Sequence, residues 1–208
     1  MLFSKKEDDL IIAADGGYDT LKKSGLSADV LLGDFDSIDE LPRHKKIIKY
    51  PSEKDDTDTF LAYNYGKEMG YETFVIFGGI GGRIDHSIAN IKTLFAIANN
   101  GGRGFLVGND AILTVITNSG ISFSADHTGY VSLFSIGNSA NKVTIRGLKY
   151  NMENSTIESS STLGTSNEFV GERAYITVED GSLMVIWYEN QEAFLRSISD
   201  YVCIKKEL

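Results

Sequence analysis

Cysteine is nearly missing from this chain: Cys203 is the single one in 208 residues. An intrachain disulfide is excluded, and so is a zinc site built on cysteines. This usage fits a reducing compartment. Long apolar runs are missing too. No stretch approaches the ~20 consecutive apolar residues of a membrane helix, and the N-terminus has no apolar targeting run. The expectation is a cytoplasmic protein with no membrane partner. A basic surplus is also lacking. The formal net charge is −9, with 13 Lys+Arg against 18 Asp+Glu through Asn118 and 7 against 11 beyond it. Neither part has the basic footprint of a nucleic-acid binder. Internal repeats and low-complexity segments are absent as well.

What remains is an ordinary globular composition, 42% hydrophobic and 24% charged, enough for one large domain or two small ones. The first part alternates short apolar runs with helical patterns. Leu10 to Ala14 reads as a buried strand ending at Asp15-Gly16-Gly17. A helix from Tyr18 to Ser24 follows, with Gly25 at its C-terminal end. Val30 to Leu32 is a second strand, ending at Gly33-Asp34, and Lys46 to Tyr50 a third, closed by Pro51. Thr57 to Met69 is a helix, Thr73 to Phe77 a strand, and Asp85 to Ala98 a helix. Ile88, Ile91, Leu94, Phe95 and Ala98 fall on or near one face of that last helix. Strand–helix alternation of this kind predicts a parallel α/β sheet.

From about Ala111 the pattern changes to short β-rich runs separated by turn residues. Examples are Ile112–Thr117, Tyr130–Ile136, Lys142–Arg146, Thr156–Glu158, Arg173–Val178 and Leu183–Trp187. The Asp180-Gly181 step between the last two is a hairpin signal. Evenly spaced short strands suggest a β-sandwich. The expected organisation is a Rossmann-like parallel-sheet domain over residues 1–118 followed by a β-sandwich over 119–208. Glu192 to Val202 reads as a terminal helix.

Three motifs follow strands of the α/β part, where open sheets gather their ligands. In Gly33-Asp34-Phe35-Asp36-Ser37 the two aspartates are two apart, which puts them on one side of an extended segment. Adjacent carboxylates of this kind suit Mg²⁺, which takes one or two carboxylates plus substrate phosphates. A plain turn is the alternative. In Lys54-Asp55-Asp56-Thr57-Asp58, Asp55 and Asp58 share a helix face, and they read equally well as cap and first-turn residues. Lys54 is either a solvated lysine or a phosphate ligand. In the run Gly78 to His86, four glycines allow a backbone to approach a ligand closely, and Arg83 offers phosphate a planar fork. The spacing matches neither a Walker motif nor the dinucleotide fingerprint. The alternative here is a tight structural turn. His86 and Asn90 lie four apart on one helix face. His86 is either a packing residue or a chemical one.

Together these motifs resemble the thiamine pyrophosphokinase family. The match runs through Ala14-Asp15-Gly16-Gly17, Gly33 to Ser37, Lys54 to Asp58 and Gly78 to Asn90. It continues in Gly147-Leu148-Lys149-Tyr150 and Thr165-Ser166-Asn167-Glu168. The resemblance implies an α/β nucleotide-binding domain, a C-terminal β-sandwich that binds thiamine and forms a homodimer, and Mg²⁺-dependent pyrophosphoryl transfer from ATP to thiamine. It places Asp34, Asp36, Asp55 and Asp58 around Mg²⁺ and the phosphates, and Asp85 beside the reacting centre. Asp15, Gly16, Gly17, Lys54, Gly79, Gly82, Arg83 and His86 fall to ATP, and Ser166 and Asn167 to thiamine. Tyr150 or Trp187 could stack on thiamine, or be core. One departure stands out: the family usually begins with a strand and a Gly-Gly turn ahead of the strand matching Leu10 to Ala14, and only Met1 to Asp9 precede it here. Two other readings compete. Asp34-Phe35-Asp36 mimics the nucleophile motif of haloacid-dehalogenase phosphatases, and a non-catalytic sensor would bind the same ligands without turnover.

Overall fold

The computed structural model describes residues 5–35 and 43–201. The chain forms mixed sheets with few helices, in two compact units, Met1–Tyr71 and Glu72–Leu208.

In the first unit β1 (Ile12–Ala14), α1 (Gly17–Lys23), β2 (Val30–Gly33), β3 (Ile47–Lys49) and α2 (Asp58–Glu68) follow one another. β1, β2 and β3 form a parallel three-stranded sheet in that order. β2 is buried at all four positions, as a central parallel strand should be. A small core of Ala13, Leu31 and Phe35 is covered by Tyr18, Leu21, Ala28 and Ile47. The Thr57 side chain caps α2 by accepting from the Phe60 N–H at 3.3 Å.

The second unit opens with β4 (Thr73–Phe77), α3 (Ile84–Asn99) and β5 (Arg103–Val107). It goes on with β6 (Ala111–Thr117), β7 (Gly120–Phe123), β8 (Tyr130–Ser135), β9 (Ala140–Arg146) and β10 (Met152–Ile157). β11 (Asn167–Glu168), β12 (Ala174–Thr177), β13 (Ser182–Tyr188) and α4 (Gln191–Ser197) complete it, with a 3₁₀ turn over Ile198–Asp200. One sheet runs β11-β8-β13-β6-β5-β4, with β4 and β5 parallel and the other pairs antiparallel. The other is β10-β9-β12-β7, antiparallel throughout. One hydrophobic cluster takes residues from both sheets, among them Phe123, Ile145, Leu133, Ile176 and Trp187, each nearly inaccessible.

Several expectations change. The strands of the predicted parallel sheet fall into two hydrogen-bonded sets, since β4 and β5 join β6 and not β1 to β3. β5 itself was not expected; its Arg103-Gly104 start hides the apolar run behind it. The buried face of α3 is Asn90, Thr93, Leu94 and Ile97, while Ile88 is exposed. The reason is Gly104, where a Cβ would meet Leu94 Cδ2 and Ile97 Cδ1, each at 2.9 Å, so those two side chains fill the glycine's space on β5. Finally, Asp180-Gly181 does not close a hairpin. β12 pairs with β7 and β9, and β13 with β6 and β8, so the chain changes sheets there, tied to Asn141 by backbone bonds. The terminal helix is regular only to Ser197; Val202, its expected end, lies outside the described residues.

Candidate active site

The first unit gathers Asp15, Asp34 and Asp58 so that one carboxylate oxygen from each lies within 4.8 Å of the others. Each comes from a different segment. Asp15 follows β1, Asp34 follows β2, and Asp58 is the first residue of α2. The approach of the first two depends on Gly33. Its φ is +152°, and a Cβ there would sit 3.2 Å from both the Cα and the N of Asp15. The Asp15 N–H donates to Leu32 O at 2.8 Å, which pins the turn against β2. Asp15 and Phe35 both hold positive φ, 42° and 60°. Non-glycine residues adopt this conformation at a cost of about 1–3 kcal/mol, a kind of strain that clusters at functional sites. Burial of Phe35 in the small core holds the second turn. At α2, Thr57 does the capping, and the Asp58 carboxylate is left to face the cluster.

Lys54 completes the group. Its Nζ donates to Asp34 Oδ2 at 2.9 Å and lies 2.9 Å from Asp58 Oδ1, and its side chain is 13% exposed. Partial burial pulls the ammonium pKa down, but the Asp58 and Asp34 carboxylates outweigh it and hold it above the ordinary lysine value. Asp58 Oδ1 is buried with no well-aligned donor among the described residues, and the Lys54 ammonium 2.9 Å away is its charge partner. The cluster offers carboxylate oxygens from three separate segments. A partly buried, all-oxygen donor set of this kind fits Mg²⁺.

Asp55 is exposed and stays out of this group. Asp36 and Ser37 lie outside the described residues. Gly16 is the residue before α1 and Gly17 its first residue, next to Asp15 in the same turn.

In the second unit the glycine-rich turn after β4 leads into α3. Gly79 is a glycine for internal reasons: a Cβ would meet Leu106 Cδ1 at 2.5 Å and Asn90 Nδ2 at 2.9 Å. Asn90, buried, donates from Nδ2 to Gly79 O at 2.8 Å and fixes the turn on the helix. Gly82 faces open space. Arg83 grips Asp85 with both arms, Nε to Oδ1 at 3.1 Å and Nη2 to Oδ2 at 2.5 Å. The His86 N–H adds a bond to Asp85 Oδ1 at 2.9 Å. The Arg83 guanidinium, helped by that N–H, holds the Asp85 carboxyl at about 2. His86 itself is exposed.

The last predicted pair sits at β11. Asn167 is buried, and its amide is spent on neighbouring backbone. It donates to Tyr150 O at 2.7 Å and accepts from the N–H groups of Tyr150 and Glu168, both at 2.9 Å. Ser166 is exposed, and its N–H donates to Ser132 Oγ at 3.0 Å. Tyr150 is exposed beside Lys149, whose Nζ lies 5.8 Å from the ring centroid. Trp187 is fully buried among Phe123, Phe194 and Tyr201, which makes it core and removes it as a stacking surface.

The profile described as thiamin pyrophosphokinase, catalytic domain, matches residues 4–105, and that described as thiamin pyrophosphokinase, vitamin B1 binding domain, matches 118–183. A thiamine pyrophosphokinase of Bacillus subtilis is 30% identical over 187 residues, covering 86% of this chain and 87% of the relative. The chain belongs to the thiamin pyrophosphokinase family. A crystal structure of the Bacillus subtilis thiamine pyrophosphokinase superposes with a TM-score of 0.80 at 27% identity, covering 90% of each chain. That of the Geobacillus thermodenitrificans thiamin pyrophosphokinase gives 0.76 at 28%, covering 90% of this chain and 89% of that one. The family's reaction is the transfer of a pyrophosphoryl group from ATP to thiamine, and this chain is an enzyme of that class. The phosphatase reading of Asp34-Phe35-Asp36 falls with that assignment.

The structure adds one member to the acidic group: the sequence assigns Asp15 to ATP, and its carboxylate joins those of Asp34 and Asp58. The available signal was positional: Asp15 and Asp34 each directly follow one of two adjacent parallel strands.

Proposed function

We propose that Asp15, Asp34 and Asp58 hold Mg²⁺ for pyrophosphoryl transfer from ATP to thiamine in this chain. The observation that carries this is the convergence of three carboxylate oxygens within 4.8 Å from three separate segments. Bound there, Mg²⁺ supplies charge neutralisation for the polyphosphate. The fold would supply the rest by positioning. The thiamine hydroxyl attacks the β-phosphorus of ATP, the new O–P bond forms as the bond to the α-phosphate oxygen breaks, and AMP leaves. A carboxylate takes the hydroxyl proton, and Asp85 is our candidate. Asp36 and Asp55 are proposed to assist at the metal, and Lys54, Arg83, His86, Gly79, Gly82 and the Asp15-Gly16-Gly17 turn to face ATP.

We read the architecture as a Rossmann-like nucleotide-binding domain over 1–118 and a β-sandwich over 119–208 that binds thiamine and dimerises. The family matches at 4–105 and 118–183 support that functional division, although the compact units part at Tyr71. We propose Ser166 and Asn167 for thiamine, the buried Asn167 amide acting through the backbone it holds. We infer a cytoplasmic location from the cysteine-poor composition. No helix among the described residues is long and apolar enough to cross a membrane.

The test is incubation with ATP, Mg²⁺ and thiamine, with analysis for AMP and thiamine diphosphate. Asp34→Asn should keep the fold and lower turnover by about 100-fold or more. A rate near that of the unsubstituted chain would remove the metal role. Binding of both ligands without AMP formation would favour the sensor reading.

A further inference from the structure

Lys54 stands where a metal would have to compete. Two of the three converging carboxylates, Asp34 and Asp58, already share its ammonium at 2.9 Å each. The side chain is partly buried, so solvent screens these contacts less than it would a surface pair. An ammonium and a divalent cation drawn to the same oxygens repel one another, and each carboxylate oxygen has limited room for partners.

We propose that Lys54 is the resident counter-ion of this site, holding Asp34 and Asp58 together until a divalent cation enters and then leaving at least one of them for the phosphates of the incoming nucleotide. The inference rests on the metal reading of the cluster given above. It makes Lys54 a positioning residue with two successive partners. A free ammonium in a half-closed acidic pocket is costly unless an anion receives it. The polyphosphate is that anion. Metal alone therefore binds weakly, and the nucleotide and the metal bind with positive coupling.

The experiment uses the full chain and Mn²⁺ as the probe, measured by electron paramagnetic resonance without nucleotide. Lys54→Met and Lys54→Gln should each bind Mn²⁺ about tenfold more tightly than the unsubstituted chain, and Lys54→Arg should not. At saturating Mn²⁺, both neutral variants should bind α,β-methylene ATP about tenfold more weakly. Equal or weaker Mn²⁺ binding in the neutral variants overturns the proposal, as does undetectable Mn²⁺ binding in every form. A measurement on the unsubstituted chain guards against misfolded variants. The ¹⁵Nζ resonance of Lys54 should shift when Mg²⁺ and α,β-methylene ATP are added together, and an unmoved resonance overturns the proposal equally. Product formation separates this from the parent reading. Thiamine diphosphate formed without the Mn²⁺ effect sinks the Lys54 role alone. Tighter Mn²⁺ binding in the variants without product sinks the transfer reading alone.

Discussion

Gly33 and Asp15 are in contact through backbone: a Cβ on Gly33 would lie 3.2 Å from the Asp15 Cα. This approach sets the Asp15 turn beside β2 and lets its carboxylate reach that of Asp34. A side chain at Gly33 meets main chain, which cannot swing aside, and its φ of +152° is also unfavourable for an L residue. Gly33→Ala should cost about 2–3 kcal/mol of stability and weaken Mn²⁺ binding at the cluster. Urea unfolding and Mn²⁺ titration check both effects. A variant with unchanged Mn²⁺ affinity would separate Asp15 from the metal.

The same pair shows what could be read in the sequence. Most elements were legible, because strands such as Val30–Leu32 and Thr73–Phe77 are apolar runs bounded by turn residues. Asp34 and Asp58 were legible as candidates for the metal because their motifs are dense in carboxylate. Asp15 was not, since its role comes from the parallel pairing of β1 with β2, and local sequence does not specify which strands pair. The Asp180-Gly181 turn failed for the same reason: its composition suits a hairpin, but tertiary packing sends the two strands to different sheets. The resemblance assigns Asn167 to thiamine, and its three backbone bonds need coordinates to be seen.

Arg83 sets the protonation of Asp85. With the guanidinium in place, the carboxyl sits at about 2 and is a weak base. A phosphate that draws Arg83 away would make it a stronger one. Arg83→Gln should raise the Asp85 pKa toward about 3.9, stopping short because the His86 N–H still donates to it. Carboxyl ¹³C titration by NMR reads this directly. A value still near 2 in the variant would assign the effect to the backbone of α3.

Asn167 joins β11 to the Tyr150 backbone through a buried amide used in both directions. Asn167→Ala strands two N–H groups and one carbonyl, and should cost about 2–4 kcal/mol. Ser166→Ala, at an exposed neighbour, should change stability by no more than about 0.5 kcal/mol. Urea unfolding of the two variants side by side tests the contrast. Equal stabilities would mean that the Tyr150 turn holds without Asn167.

Tyr201 carries a titration at the other end of the pH scale. It is 2% exposed, packed on Phe105, Phe123, Trp187 and Phe194. Its hydroxyl donates to Glu189 Oε2 at 2.5 Å and faces His127 Nε2 at 3.0 Å. Burial first, and the Glu189 carboxylate second, push its pKa well above the ordinary tyrosine value. The native state therefore keeps a proton that the unfolded chain loses near pH 10. The stability tied to Tyr201 is fully present below that pH and is lost as pH rises toward the native pKa, at about 1.4 kcal/mol per pH unit. Tyr201→Phe should be less stable at neutral pH by about 1 kcal/mol for the lost hydrogen bond, but its stability should decline less steeply above pH 10. Unfolding curves for both proteins between pH 8 and about 11 measure the two slopes against the same lysine background. Parallel declines would place the alkaline sensitivity elsewhere in the chain.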